Sequence, residues 1–428
     1  MKDTLNPNLT EANKTSRTNR SILIIGALFF IFGFVTWLNS VLIPYLKIAC
    51  ELNNFEAYLV AFAFYIAYLV MALPSAWILK ITGFKKGMSL GLLVMAVGSL
   101  IFVPAAYSRT YELFLLGLFI QGTGLAILQT AANPYVTILG PIESAAKRIS
   151  IMGICNKVAG AIAPIILGAI ALKDVDALVE NLKTMPTAQK IVELDVLSER
   201  VIFPYLIMMA VLIVLAIMIY FSTLPEVDTD QEDEELATTN SKKTSIFQFP
   251  HLLLGALALF FYVGVEVIAG DTVISYGVAQ GISFANAKFF TTYTLIAMLV
   301  GYIIGILCIP KYFTQEKALK ISAIIGLVLG LIAIFTDGFV SVLCISLLGI
   351  ANALVWPAIW PMAISGLGRF TKVGSSFLIM AIAGGAIMPL VYGYFADLSS
   401  PQQAYWVVIP CYLFILFFAT SGYKIRRD

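Results

Sequence analysis

Charge is scarce in this sequence. Of its 428 residues, 12% are Asp, Glu, Lys or Arg, about half the roughly 25% usual in soluble domains. Histidine occurs once, at His251, and a single imidazole supplies neither a catalytic cluster nor a metal set. The five cysteines (Cys50, Cys155, Cys308, Cys344, Cys411) stand far apart, and no pair has disulfide-framework or zinc-ligand spacing. They read as buried structural thiols. No basic patch carries interleaved aromatics, which argues against nucleic-acid binding. What fills the chain is apolar: 60% hydrophobic residues and a mean hydropathy of +0.92 rule out both a soluble enzyme and a disordered polymer. The apolar runs exceed the roughly 20 residues that cross a bilayer. The fold class is therefore an all-α polytopic membrane protein.

Hydropathy places spans at about 21–46, 54–80, 85–106, 110–139, 145–172 and 200–222, then 247–280, 284–309, 317–335, 338–366, 371–396 and 402–422. Residues 1–20 form a polar tail, and the run after them is too long for a cleaved signal, so it stays as span one. An even number of spans puts both termini on one side. Nineteen of the 27 Lys and Arg residues fall on that side and seven on the other, with Lys157 in mid-span. By the positive-inside rule the termini are cytoplasmic. The segment 173–199 then faces outward. The acidic run Glu226 to Glu235 reads as a solvated cytoplasmic linker, within 223–246, between bundles at 21–222 and 247–422, and 423–428 is a short tail.

The two bundles repeat each other. Gly160-Ala161-Ile162-Ala163-Pro164 with Gly168 recurs as Gly385-Ala386-Ile387-Met388-Pro389 with Gly393. Phe29-Phe30, Gly33 and Tyr45 recur at one offset as Phe260-Phe261, Gly264 and Tyr276. Asn133-Pro134 ending at Leu139-Gly140 resembles Trp360-Pro361 ending at Leu367-Gly368. Span one thus pairs with seven, four with ten and five with eleven. Two parallel six-helix halves are the major facilitator architecture.

The run Leu128-Gln129-Thr130-Ala131-Ala132-Asn133-Pro134-Tyr135-Val136-Thr137-Ile138-Leu139-Gly140-Pro141 resembles the fourth-helix signature of that superfamily's fucose permease branch. Asn156 with Gly160, Tyr262-Val263-Gly264, Gly374-Ser375-Ser376-Phe377 and Lys80 ahead of Gly83-Phe84-Lys85-Lys86 fit the same branch. Two positions depart from fucose permease, which has an aspartate at Ser40 and a glutamate at Gln129. Val265-Glu266-Val267 with Asp271 is similar instead to the glucose/galactose subgroup, some members of which are sodium-coupled. The resemblance implies a sugar symporter of the bacterial cell membrane, working as a monomer by alternating access, whose spans one, four, seven and ten line a central cavity.

A sugar offers hydroxyls at its rim and C–H faces, so its site wants amides at the edge and aromatic rings against the face. Span four supplies Gln121, Gln129 and Asn133 at multiples of four residues. Span ten supplies Asn352, Trp356 and Trp360 at the same spacing. Asn156 joins them as the counterpart of a family residue, and Asn39, Ser40 and Trp37 are weaker candidates. The alternative for the amides is hydrogen bonding between helices, and for the tryptophans packing beside Pro357 and Pro361.

Charges inside spans cost on the order of 2.5–3.5 kcal/mol at the helix centre and are functional candidates by default. Lys157, Glu266 and Asp271 form the expected coupling set, with Lys157 as counter-ion to Glu266. The alternatives are a fixed charge pair within the first bundle for Lys157, and contact with outer water for Asp271. Glu112, Asp337 and Asp397 stand at span ends, where solvation explains them. The expected activity is import of a neutral hexose such as glucose or galactose, with L-fucose or N-acetylglucosamine as alternatives. Sodium is favoured as the coupled cation, with a proton the other choice, and neither metal nor cofactor is expected. A membrane-embedded enzyme and a drug exporter fit less well, the first for want of a catalytic constellation and the second because of the amide faces.

Overall fold

The computed structural model describes residues 7–138, 145–222, 224, 245–309, 312–367 and 370–425. Among the described residues every regular element is helical, and twelve helical stretches are long and apolar enough to cross a membrane. They run Ser21–Ala49, Asn54–Thr82, Phe84–Ser108, Tyr111–Ala132, Ile151–Ala171 and Thr187–Tyr220, then Pro250–Asp271, Phe284–Cys308, Gln315–Phe335, Gly338–Ile364, Val373–Leu398 and Gln403–Thr420. Each overlaps one span expected from hydropathy. The helix of span one extends back to Pro7, into the stretch read as a polar tail. The segment after span five folds into two helices, Val175–Leu182 and Thr187–Glu199. The acidic run Glu226 to Glu235 lies outside the described residues.

Helices inside a bilayer gain nothing from expelling water between them, so close packing of small residues holds them together. Gly91 on span three and Gly124 on span four sit backbone against backbone, each filling the space a β-carbon would need. One repeated pair of glycines, Gly33 and Gly264, joins corresponding spans in the two halves. Gly33 packs span one on the Asn156 backbone of span five, and Gly264 packs span seven on Met388 of span eleven. Long apolar side chains such as Leu73, Trp77, Phe203 and Leu307 are left exposed on the outer surface, as lipid contact requires.

Four spans that bear on the site are interrupted. Span one breaks at Leu38, between helices Pro7–Trp37 and Asn39–Ala49. Span seven ends its first helix at Asp271 and resumes at Val273, with the freed Gly270 carbonyl taken by the Thr291 hydroxyl at 2.7 Å. Span ten breaks after Ala353, and the cause is chemical: Pro357 has no N–H to give the Ala353 carbonyl four residues back. Span eleven passes through a 3-10 turn at Ala381–Ala383. Across the halves, span two packs on span eleven and span five on span eight.

Candidate substrate and coupling site

Lys157 and Glu266 meet. The ammonium lies 2.8 Å from Glu266 Oε1, and the two side chains are 11% and 13% exposed, so the pair sits in the interior. Lys157 belongs to span five and Glu266 to span seven, which makes this ion pair a bond between the halves. That excludes a pair confined to the first bundle. Beneath the ammonium lies the Trp37 ring, 5.0 Å from nitrogen to centroid.

Asp271 is fully buried rather than in contact with outer water, and neither carboxyl oxygen has a hydrogen-bond partner. Asn39, at the start of the second helix of span one, is 1% exposed with both amide atoms unpartnered. Buried polar atoms without partners are uncommon and costly, about 1–3 kcal/mol each. Their position at the breaks of spans one and seven marks these breaks as polar points inside the membrane. Ser40, the repeat counterpart of Asp271, turns its hydroxyl back to the Trp37 carbonyl at 2.8 Å.

Gln129 donates from Nε2 to the Tyr68 hydroxyl of span two at 3.0 Å. Tyr68 stacks on Tyr65, with centroids 6.4 Å apart and planes at 25°. These tyrosines went unnoticed in the sequence, although Tyr58, Tyr65 and Tyr68 share one helical face at spacings of seven and three. Gln121 does not share the Gln129 face: it is buried and donates to Ser99 on span three at 2.9 Å. Eight residues leave two side chains about 80° apart on a helix, enough to separate these two. Asn156 gives its amide to the Phe29 carbonyl of span one at 3.3 Å. The Asn133 side chain lies outside the described residues.

On span ten, Trp356 and Trp360 stack with centroids 5.4 Å apart at 26°, both half-buried, and Tyr262 of span seven approaches Trp356 at 6.3 Å. Asn352 is not beside them. The break after Ala353 separates it from the tryptophans, and it is fully buried, accepting from the Tyr412 hydroxyl of span twelve at 2.8 Å. The amide that packs the second bundle is therefore Asn352, and the aromatic surface is Trp356 with Trp360. His251 is held at 2.9 Å from the Ser365 carbonyl, joining the start of span seven to the end of span ten.

On the side opposite the termini, two carboxylates close the gap between halves. Asp397, at the end of span eleven, accepts from the Asn54 and Phe55 backbone N–H groups at 3.0 and 2.7 Å, and from the Asn54 side chain at 2.6 Å. A capping box between Asn53 and Glu56 takes the two flanking N–H groups, so the first four of span two are satisfied. Asp176, from the first half, accepts in the same way from Phe284 and Ala285 at the start of span eight, at 2.8 and 3.1 Å. The two caps stand on counterpart span pairs, eleven with two and five with eight, although the aspartates do not occupy matching repeat positions. Asp397, expected as a merely solvated end residue, is a bond between the halves. Tyr58 and Tyr392 add an edge-to-face contact at 5.5 Å nearby. The chain is closed on this side.

The family model described as Major Facilitator Superfamily matches residues 25–381. A glucose/galactose transporter of Brucella abortus biovar 1 (strain 9-941) is 36% identical over 424 residues, covering 98% of this chain and 98% of its own. The L-fucose-proton symporter of Escherichia coli (strain K12) is 31% identical over 416 residues, covering 95% of each chain. Among solved structures, the E. coli fucose:proton symporter FucP aligns with a TM-score of 0.70 at 29% identity, over 94% of this chain and 98% of that one.

Proposed function

This chain belongs to the Major Facilitator Superfamily, and from that premise we propose that it imports a neutral hexose of the glucose/galactose type by symport with a proton. Its spans make it a multi-pass membrane protein, a transporter and not an enzyme. In this reading it resides in a bacterial cell membrane as a monomer, surrounded by lipid, with both termini cytoplasmic. The substrate class rests on likeness to the Brucella transporter along nearly the whole chain. Sodium, favoured from the sequence alone, draws no support from relatives whose names specify proton symport.

The observation that carries the coupling mechanism is the buried Lys157–Glu266 pair between the halves. With Glu266 ionised, the two charges compensate each other and hold spans five and seven together. A proton on Glu266 removes the negative charge, and the halves are then free to part around the substrate. Asp271 is the second carboxyl group on this route. It is fully buried, and neither of its oxygens has a hydrogen-bond partner. Sugar binds between Gln129 with Tyr68 on one wall and the Trp356–Trp360 stack on the other, with Asn133, Asn156 and Asn39 as further amides.

Proteoliposomes loaded against a pH gradient or a sodium gradient test this with a panel of radiolabelled hexoses. The pH gradient alone should drive accumulation. Glu266→Gln should abolish that accumulation and spare exchange at equal sugar concentrations. Full accumulation by the variant would move coupling away from Glu266.

A further inference from the structure

We propose that Trp37 is a positioning residue for the Lys157–Glu266 pair: its indole holds the ammonium at the carboxylate while the halves rearrange. The inference rests on the coupling role proposed above for Glu266. Three observations carry it. The ring is 2% exposed and wedged between the backbones of opposite halves, where a β-carbon at Gly160 or at Gly270 would overlap it. Gly160 is three residues after Lys157 and Gly270 four after Glu266, so the ring lies one turn from each charge, toward the closed side. The Lys157 nitrogen stands 5.0 Å from the ring centroid, inside the range of a cation–π contact.

The internal repeat sharpens this. The counterparts of Trp37 and Lys157 in the second half are Ile268 and Ile382, neither aromatic nor charged. Two six-helix halves can therefore be built without a ring or an ammonium at these places, and the two depart from the repeat together. Trp37 also ends the first helix of span one, immediately before the break at Leu38. Movement of that helix thus reaches the ammonium directly. When Glu266 takes a proton, Lys157 loses its counter-charge, and the π face remains as its partner. The ammonium stays where it can rejoin the carboxylate once the proton leaves.

The test compares Trp37→Leu, which fills space without a π face, with Trp37→Phe, which keeps one. The leucine variant should lose about tenfold or more in driven accumulation, with exchange at equal concentrations held within about twofold, and phenylalanine should restore most of the loss. In a Glu266→Gln background, where accumulation is already abolished, Trp37→Leu should leave exchange at equal concentrations unchanged. If leucine and phenylalanine behave alike, or if exchange falls in step with accumulation, the ring is only a wedge and the proposal is overturned. A loss of exchange in the Gln background overturns it as well. Full accumulation by Glu266→Gln alone refutes the coupling reading instead, which keeps the two failures apart. A readout independent of those variants is the 13C signal of the Lys157 ε-carbon, identified by its loss in Lys157→Arg. The indole ring current should shift it upfield, and a signal at the position of exposed lysines would overturn the proposal.

Discussion

Removing the Asp397 and Asp176 carboxylates should open the side they close, by an amount that follows from their geometry. Each accepts two backbone N–H groups at the start of a helix in the other half, and Asp397 accepts the Asn54 amide besides. Substituting an N-terminal capping side chain by alanine costs about 1 kcal/mol, within a range of roughly 0.5–2. Both carboxylates are solvent-exposed, so the larger figures for buried charge-assisted bonds do not apply. One substitution should then shift the ratio of closed to open molecules about fivefold. The caps lie on separate interfaces, span two against eleven and span five against eight, so their effects should add. Asp176→Ala with Asp397→Ala should give a shift of roughly 30-fold. Pulsed electron spin measurements between labels at Ser108 and Phe339, in a cysteine-free background, would report the open population. Hydrogen exchange at the Phe55 and Phe284 amides would report each cap locally. An unchanged distance distribution in the double variant, with exchange at both amides accelerated, would show that the caps form but do not hold the halves. Unchanged exchange would show that they do not form.

Gln129→Ala should weaken sugar binding by roughly 5- to 150-fold, the cost of leaving one buried polar partner unpaired, and Tyr68→Phe should weaken it in the same direction; calorimetry on purified protein checks both. Sugar should alter intrinsic tryptophan fluorescence, and Trp356→Phe or Trp360→Phe should remove the change. Retention of the signal in both variants, with binding intact, would point to Trp37, Trp77 or Trp406 as its source. Burial pushes the Cys50 thiol up to about 11, with Arg109 pulling it down and Glu112 raising it. Its thiolate fraction at pH 8 is then about one in a thousand, and alkylation should accelerate about tenfold per pH unit up to that value. Mass spectrometry that finds Cys50 labelled at neutral pH as fast as a free thiol would contradict this.

Span positions, the two-half repeat and the charges inside the membrane were all legible from the chain alone, for a physical reason. A bilayer imposes one rule on every residue of a span, so hydropathy reports position without any knowledge of neighbours. Glu266 and Lys157 stood out by the same rule, because a charge in an apolar run is conspicuous wherever its partner lies.

What the tertiary structure decided is which groups meet, since that depends on helix tilt, breaks and cross-half packing, which linear spacing does not encode. Gln121, Gln129 and Asn133 share a spacing, yet Gln121 is spent on Ser99 and Gln129 on Tyr68. Asn352 and Trp356 are four residues apart, yet Pro357, which has no N–H for the Ala353 carbonyl, interrupts the helix between them. Asp397 looked like any solvated span end until span two placed its free N–H groups against it. Lys157 and Glu266 are 109 positions apart and belong to different halves. Each was visible alone, and only the packing of span five near span seven made them a pair.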